Sequence, residues 1–222
     1  MSLALRITQG VGALHGPAWN ELLAQSQADH IFLRSEWLLA AAEVFGGDVV
    51  VVEVWTSEAL VAAAAFVNEG RTWRLLGKGP CDYLDIVVSR HVSEATARAA
   101  TGLIVKAAFD AGAQHLLLTA LPLEGATEIR LRSAGMHVTE FRTTPAPTMH
   151  MSAAPASARK KSLKRHTNKL AREGDLKFVT LTTADEIDPR LYGFFEQHVA
   201  RWGETDTPSL FVEPENREFY HA

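Results

Sequence analysis

The stretch Val49-Val50-Val51-Val52-Glu53-Val54-Trp55, followed after Thr56-Ser57-Glu58-Ala59 by Leu60-Val61-Ala62-Ala63-Ala64-Ala65-Phe66-Val67, decides the fold class. A β-branched run, a short polar turn and a second apolar run read as an antiparallel hairpin. Working downstream, Thr72 to Leu76 reads as a third strand closed by Gly77, and Tyr83 to Val88 as a fourth. The period then changes. Ser93 to Asp110 reads as a helix, with Ser93 as its cap and Gly112 just past its end. His115 to Thr119 is expected as a strand, Glu124 to Ser133 as a helix ended by Gly135, and Met136 to Phe141 as a strand. Upstream, Trp19 to Gln25 and Ser35 to Phe45 read as helices. Pro17 starts the first, Ser35 is expected to cap the second, and Gly46-Gly47 stops it. Antiparallel strands followed by β-α-β-α-β indicate an α/β fold, a mixed β-sheet flanked by helices.

Past the proline-bearing connector Thr143 to Pro147, the pattern begins again. Met149 to Met151 is expected to open a new sheet. A basic helix ends at Gly174, Leu176 to Leu181 reads as a strand, and Asp185 to Trp202 as a helix. The expected organisation is a first lobe over 1–143, a connector over 144–148, and the beginning of a second lobe over 149–222. About 70 residues are too few to close a second α/β lobe, so the expectation is an incomplete lobe that continues or pairs with another chain. An open sheet edge of that kind points to a homodimer.

Composition excludes several classes. Of the 222 residues 47% are apolar, enough for a core. The most apolar stretch, Val49 to Val67, is broken by Glu53, Ser57 and Glu58, so no bilayer span is expected. The first six residues carry no signal-peptide pattern, and the single cysteine, Cys81, forms no internal disulfide; both fit the cytoplasm. Nine histidines show no metal-ligand spacing, and no metal site is expected. Cys81 as a nucleophile needs a basic partner that is not visible in the sequence, so it reads as a buried or turn cysteine. Seven basic residues and no acidic one lie between Arg159 and Arg172; removing those seven positive charges from the net −4 leaves −11 on the rest. Lys161, Arg165 and Lys169 recur at every fourth position, with Arg172 close by. That stripe is open to three readings: a solvated face, a grip on an anionic substrate or cofactor, or an RNA contact, the last without interleaved aromatics to support it.

The order of strands in the first lobe resembles the GNAT acyltransferase fold, and four local motifs narrow the resemblance to two-lobed GNAT proteins of the FemAB and CelD type. Phe32-Leu33-Arg34-Ser35-Glu36-Trp37 is similar to the segment opening their second helix. Gly77-Lys78-Gly79-Pro80 with Asp82-Tyr83-Leu84-Asp85 is similar to the loop between their third and fourth strands. Arg172-Glu173-Gly174 resembles the end of their interlobe helix, and His198-Val199-Ala200-Arg201-Trp202 resembles a stretch opening their second lobe. The resemblance implies N-acyl transfer to an amine acceptor or cell-envelope precursor. The implied donor is acetyl-CoA or another acyl-CoA, or aminoacyl-tRNA in the FemAB enzymes of peptidoglycan synthesis. It places Lys78, Asp82, Tyr83 and Asp85 in an acceptor cleft, where a carboxylate orients or deprotonates the amine. Lys161, Arg165, His198, Arg201 and Trp202 complete the substrate-binding set, with packing as the other reading of Trp202. No catalytic residue is assigned. The family's glycine-rich phosphate cradle has no counterpart in Ser89-Arg90-His91-Val92-Ser93-Glu94-Ala95, so the first lobe is not expected to hold CoA. Gly77-Lys78-Gly79 precedes Pro80 and a strand rather than a helix, and reads as a tight turn. The rival class is a non-catalytic binding module for a polysaccharide or cell-envelope precursor.

Overall fold

The computed structural model describes residues 2–77, 79–122, 125–139 and 150–222. The chain forms two compact units, one built from residues 1–139 and 193–222, the other from 140–192.

The first unit is a mixed α/β structure around one six-stranded sheet. Its strands are β1 (Ala4–Gln9), β2 (Asp48–Trp55), β3 (Leu60–Glu69), β4 (Thr72–Leu75), β5 (Val87–Val88) and β6 (His115–Leu117). They run in the order β1-β2-β3-β4-β6, antiparallel except for the β4–β6 pair, and β5 pairs with β3. The expected hairpin is present. Thr56 Oγ1 accepts from the backbone N–H of Glu58 and Ala59 and so closes the turn. Val49 to Val52 and Leu60 to Phe66 are all buried. Successive strand residues point to opposite faces, so both faces of the hairpin are covered. Helix α1 (Pro17–Ala24) packs on β3 and α3 (Glu94–Asp110) on β2 and β3. The alanine run Ala62 to Ala65 allows close approach.

One edge of β3 is divided between two partners. Phe66 to Glu69 pair with β4, while Ala62 and Ala63 pair with Val88 and Val87 of β5. The chain must therefore leave the sheet after Leu76 and return at Val87. The fourth strand expected from Tyr83 is for this reason only two residues long. Residues 83–86 stand off the sheet, and Leu84 N–H bonds to Ala120 O at 2.9 Å instead of to a strand.

Helix α2 (Ser35–Phe45) has the expected bounds but a different cap. Ser35 is its first helical residue, and the cap comes from α1. Asn20 Oδ1 accepts from Ser35 N–H at 3.0 Å, and Asn20 Nδ2 donates to Ser35 Oγ at 2.8 Å. Trp19 Nε1 donates to Leu33 O at 2.8 Å and fixes the approach. Helix α3 is capped by Ser93 as expected. Helix α4 (Ala126–Ser133) ends before Gly135, but residues 136–139 form no ladder, and 140–141 lie outside the described residues. Strand β1 carries no clear sequence signal because its residues are mostly exposed, Leu5 and Ile7 at 42% each.

In the second unit lie α5 (Ala154–Ala158), α6 (Lys161–Glu173) and the first half of α7 (Ala184–Trp202). The expected strand Leu176 to Leu181 is not formed. Among the described residues no strand pairs with it, and Phe178 and Val179 are 89% and 72% exposed. Met151 begins a helical turn rather than a sheet; the connector 143–147 and Met149 lie outside the described residues. The rest of α7 and helix α8 (Pro214–Phe219) belong to the first unit, and Phe219 is buried in its core.

If Asn20 caps α2 as described, Asn20→Ala lowers unfolding stability by about 1–2 kcal/mol. Urea denaturation at neutral pH checks this; a midpoint equal to that of the native chain would show that the cap contributes nothing.

Candidate functional site

The segment between β4 and β5 turns tightly. Gly77 has φ +130°, and a Cβ there would sit 2.8 Å from both Cys81 Sγ and Leu84 Cδ2. Gly79 has φ +88°, with Asn216 Oδ1 of α8 2.7 Å from where its Cβ would be. Only glycine meets both the backbone and the spacing demands. The turn reading of Gly77 to Gly79 therefore holds on geometry; Lys78 itself lies outside the described residues.

Cys81 emerges from this turn beneath α2. Trp37 Nε1 donates to its sulfur at 3.1 Å. Burial pushes the Cys81 thiol up to about 11, assisted by the charge of Asp82 and opposed by the Trp37 hydrogen bond. At neutral pH it is a thiol and not a nucleophile. Asp82 is exposed beside it. Burial raises the Tyr220 phenol as well, with coulombic contributions from Asp82 and Cys81 adding to that rise.

Aromatic rings extend from here in both directions. Trp37 packs against Phe219 (4.9 Å between centroids), Phe32 (5.2 Å) and Tyr220 (6.4 Å). Tyr83 lies 6.3 Å from Phe32 and 6.0 Å from His30. Burial lowers the His30 pKa against the opposing pull of Asp29. On the other side Tyr220 meets Phe211 at 5.2 Å, and Phe211 meets His198 at 5.2 Å. His198 Nδ1 is bonded to Ser209 Oγ at 2.8 Å and lies 6.1 Å from Trp202, over whose ring Arg201 sits at 5.5 Å. A wall of ring contacts thus runs from Tyr83 through Phe32, Trp37, Tyr220 and Phe211 to His198 and Trp202, and passes into the core where Phe211 and Phe219 are buried. The linking residues, Phe32, Trp37, Tyr220 and Phe211, are not among the site residues expected from sequence. Their signal is density: seven of the eighteen Phe, Trp and Tyr residues lie between Tyr192 and Tyr220.

Asp85 belongs to a different neighbourhood. It is buried, and its Oδ1 accepts from Thr127 Oγ1 on α4 and from Ile86 N–H at 2.8 Å. Burial raises its pKa; the two hydrogen bonds and the charge of Arg130 pull the other way. At the start of α3, Glu94 is held by Arg130 through bonds of 3.0 and 2.9 Å, and the Arg130 hydrogen bonds lower its pKa. The start of α3 thus carries a protein carboxylate, paired with Arg130. A nearby cavity of about 110 Å3, lined by Phe45, Gly47, Val67 and Arg74, is smaller than the ~300 Å3 at which ligand pockets begin.

In the second unit, Lys161 and Arg165 lie on α6. With Lys164, Asn168, Lys169 and Arg172 they line a shallow groove of about 480 Å3, and every residue of the helix is exposed. Among the described residues no group of His, Cys, Asp and Glu is arranged to hold a metal, and no helix is long and apolar enough to cross a membrane.

Residues 157–222 match a family model described as an acetyltransferase (GNAT) domain. Comparison with curated proteins gives no match. Among solved structures the chain is similar to glucosamine-6-phosphate N-acetyltransferase from Arabidopsis thaliana, at 11% identity and TM-score 0.41 over 66% of this chain and 99% of that one. It is similar to an aminoglycoside acetyltransferase from an uncultured soil metagenomic sample, at 14% identity and TM-score 0.43 over 67% and 100%. It is also similar to AAC(6')-Iy in complex with the bisubstrate analog CoA-S-monomethyl-acetylneamine, at 13% identity and TM-score 0.41 over 66% and 99%.

Two outcomes are expected from these environments. With its thiol at about 11, Cys81 reacts with iodoacetamide at pH 8 on the order of a hundredfold more slowly than an unperturbed cysteine; mass spectrometry of the alkylated chain measures this, and a rate like that of a free thiol would contradict the burial. Asp85 holds its proton to higher pH in the folded than in the unfolded chain. Between the ordinary carboxylate value and the raised one, the folded state binds more protons, so its stability falls as pH rises through that window. Asp85→Asn keeps an oxygen for Thr127 and Ile86. It should unfold at higher urea than the native chain at pH 8, the two converging below about pH 4. A less stable Asn variant at pH 8 would mean that the carboxylate is stabilised by its surroundings.

Proposed function

We propose that this chain serves N-acyl transfer from an acyl-CoA to an amine, with the aromatic wall of the first unit as its acceptor side. The observation that carries the reading is the match of residues 157–222 to an acetyltransferase (GNAT) domain. In this reading the protein has the two-lobed organisation of FemAB- and CelD-type proteins, and the match starts inside the expected second lobe. The acceptor is a small-molecule amine. Its ammonium is drawn to the exposed carboxylate of Asp82, which precedes Tyr83 of the ring cluster in the chain. Asp82 then takes the proton, directly or through water. The free amine forms its C–N bond to the thioester carbonyl as the C–S bond breaks, and CoA leaves as the thiol. Asp85, bonded through Thr127 to α4, orients the segment that carries Asp82 and does not touch the amine.

The reading is tested by incubating the purified chain with acetyl-CoA and a panel of amines and measuring thiol release. Asp82→Asn should lower kcat/KM about a hundredfold or more while leaving the fold intact by circular dichroism. Absence of both thiol release and calorimetric acetyl-CoA binding would refute it.

A further inference from the structure

The basic face of α6 is the most strongly charged surface among the described residues, and the acceptor side makes no use of it. At about 3.6 residues per turn, Lys161, Arg165, Asn168 and Arg172 stack along one face, with Lys164 and Lys169 flanking it. All are exposed and together they line the shallow groove. Among the described residues only Lys169 of this set has a carboxylate near it, Glu173 at 3.9 Å. The face thus holds five cations along about 16 Å of helix. Such a set repels itself and is relieved by an anion that brings several negative oxygens together.

We propose that this face binds a compact ligand carrying two or more phosphates, such as a diphosphate. Three features choose this occupant. Leu163 and Leu170 are the two large apolar residues of α6, too little apolar surface to seat the helix in a membrane interface. No aromatic residue lies on the basic face to stack a base, as single-stranded nucleic acid sites require. The rest of the chain carries a net −11 once the seven basic charges are set apart. A long polyanion would meet that repulsion, whereas a compact one stays within about a Debye length of the lysines. Arg165 and Arg172 supply planar donors for paired phosphate oxygens, and Asn168 between them supplies a neutral one. This binding needs neither an acyl group nor an amine acceptor.

The test uses the full chain and calorimetric titration with inorganic pyrophosphate, ADP and CoA at moderate salt. Pyrophosphate binding that weakens at least about tenfold in Lys161→Gln/Arg165→Gln/Arg172→Gln, and is unchanged in Lys106→Gln/Lys177→Gln, supports the proposal. Glutamine keeps a helix propensity like that of lysine, and circular dichroism verifies that α6 persists. Pyrophosphate bound without CoA would support this site while counting against the donor in the reading above. Three results would each overturn it: no diphosphate binding at millimolar concentration, equal binding by the triple variant, or binding of phosphatidylglycerol vesicles or a single-stranded RNA that pyrophosphate does not displace.

Discussion

One edge of β3 serves two strands, and the first unit is arranged around that division. With β4 paired to its far half and β5 to its near half, Ala64 marks the place where the sheet stops being continuous. Backbone groups must still be satisfied there. Leu76 N–H reaches Ala65 O and Ser89 N–H reaches Val61 O, one on each side of the break. Gly77 and residues 79–86 are consequently carried out of the sheet. That excursion brings Cys81 under Trp37, Asp82 to the surface and Tyr83 into the ring cluster.

The two carboxylates of this excursion show how local environment divides roles between similar groups. Asp82 and Asp85 are three residues apart, yet one is exposed and the other is buried and bonded to Thr127 of α4. A buried carboxylate with a donated hydroxyl and amide is held in one orientation and resists ionisation. An exposed one is open to approach by a cation. The sequence motif names both without separating them, because strand alternation would have put Asp82 and Asp85 on opposite faces of a β-strand that is not there.

Elements whose signal comes from their own residues were legible. The Val49–Val67 hairpin, α2 with its glycine stop and α3 with its serine cap follow from local patterns that the fold does not override. What could not be read depended on distant partners. Tyr83 to Ile86 has strand composition but finds its hydrogen bond at Ala120. Ser35 looks like a cap but is itself capped by Asn20, fifteen residues earlier. Leu176 to Leu181 has the same β character as the hairpin, but no described strand stands beside it. Of the expected site residues, Tyr83, His198 and Trp202 are linked by ring contacts within the first unit, and Phe219 is anchored in the core against α2. Nothing local to residues 193–222 announces that anchoring, although their aromatic density favours a buried destination for some of the rings.

Helix α6 has a thermodynamic property that its outline does not reveal. It has thirteen residues and buries none of them, so tertiary packing adds little to its stability. A helix of that length is marginal in water on propensity alone. Lys161 and Lys164 lie near the positive end of its macrodipole, where cations are unfavourable. Its helix–coil balance is therefore set by the ions around it. Added salt screens the mutual repulsion and lengthens the helical population, and low ionic strength frays it from the N-terminal turn. In this segment secondary structure is a solution variable as much as a fixed part of the fold.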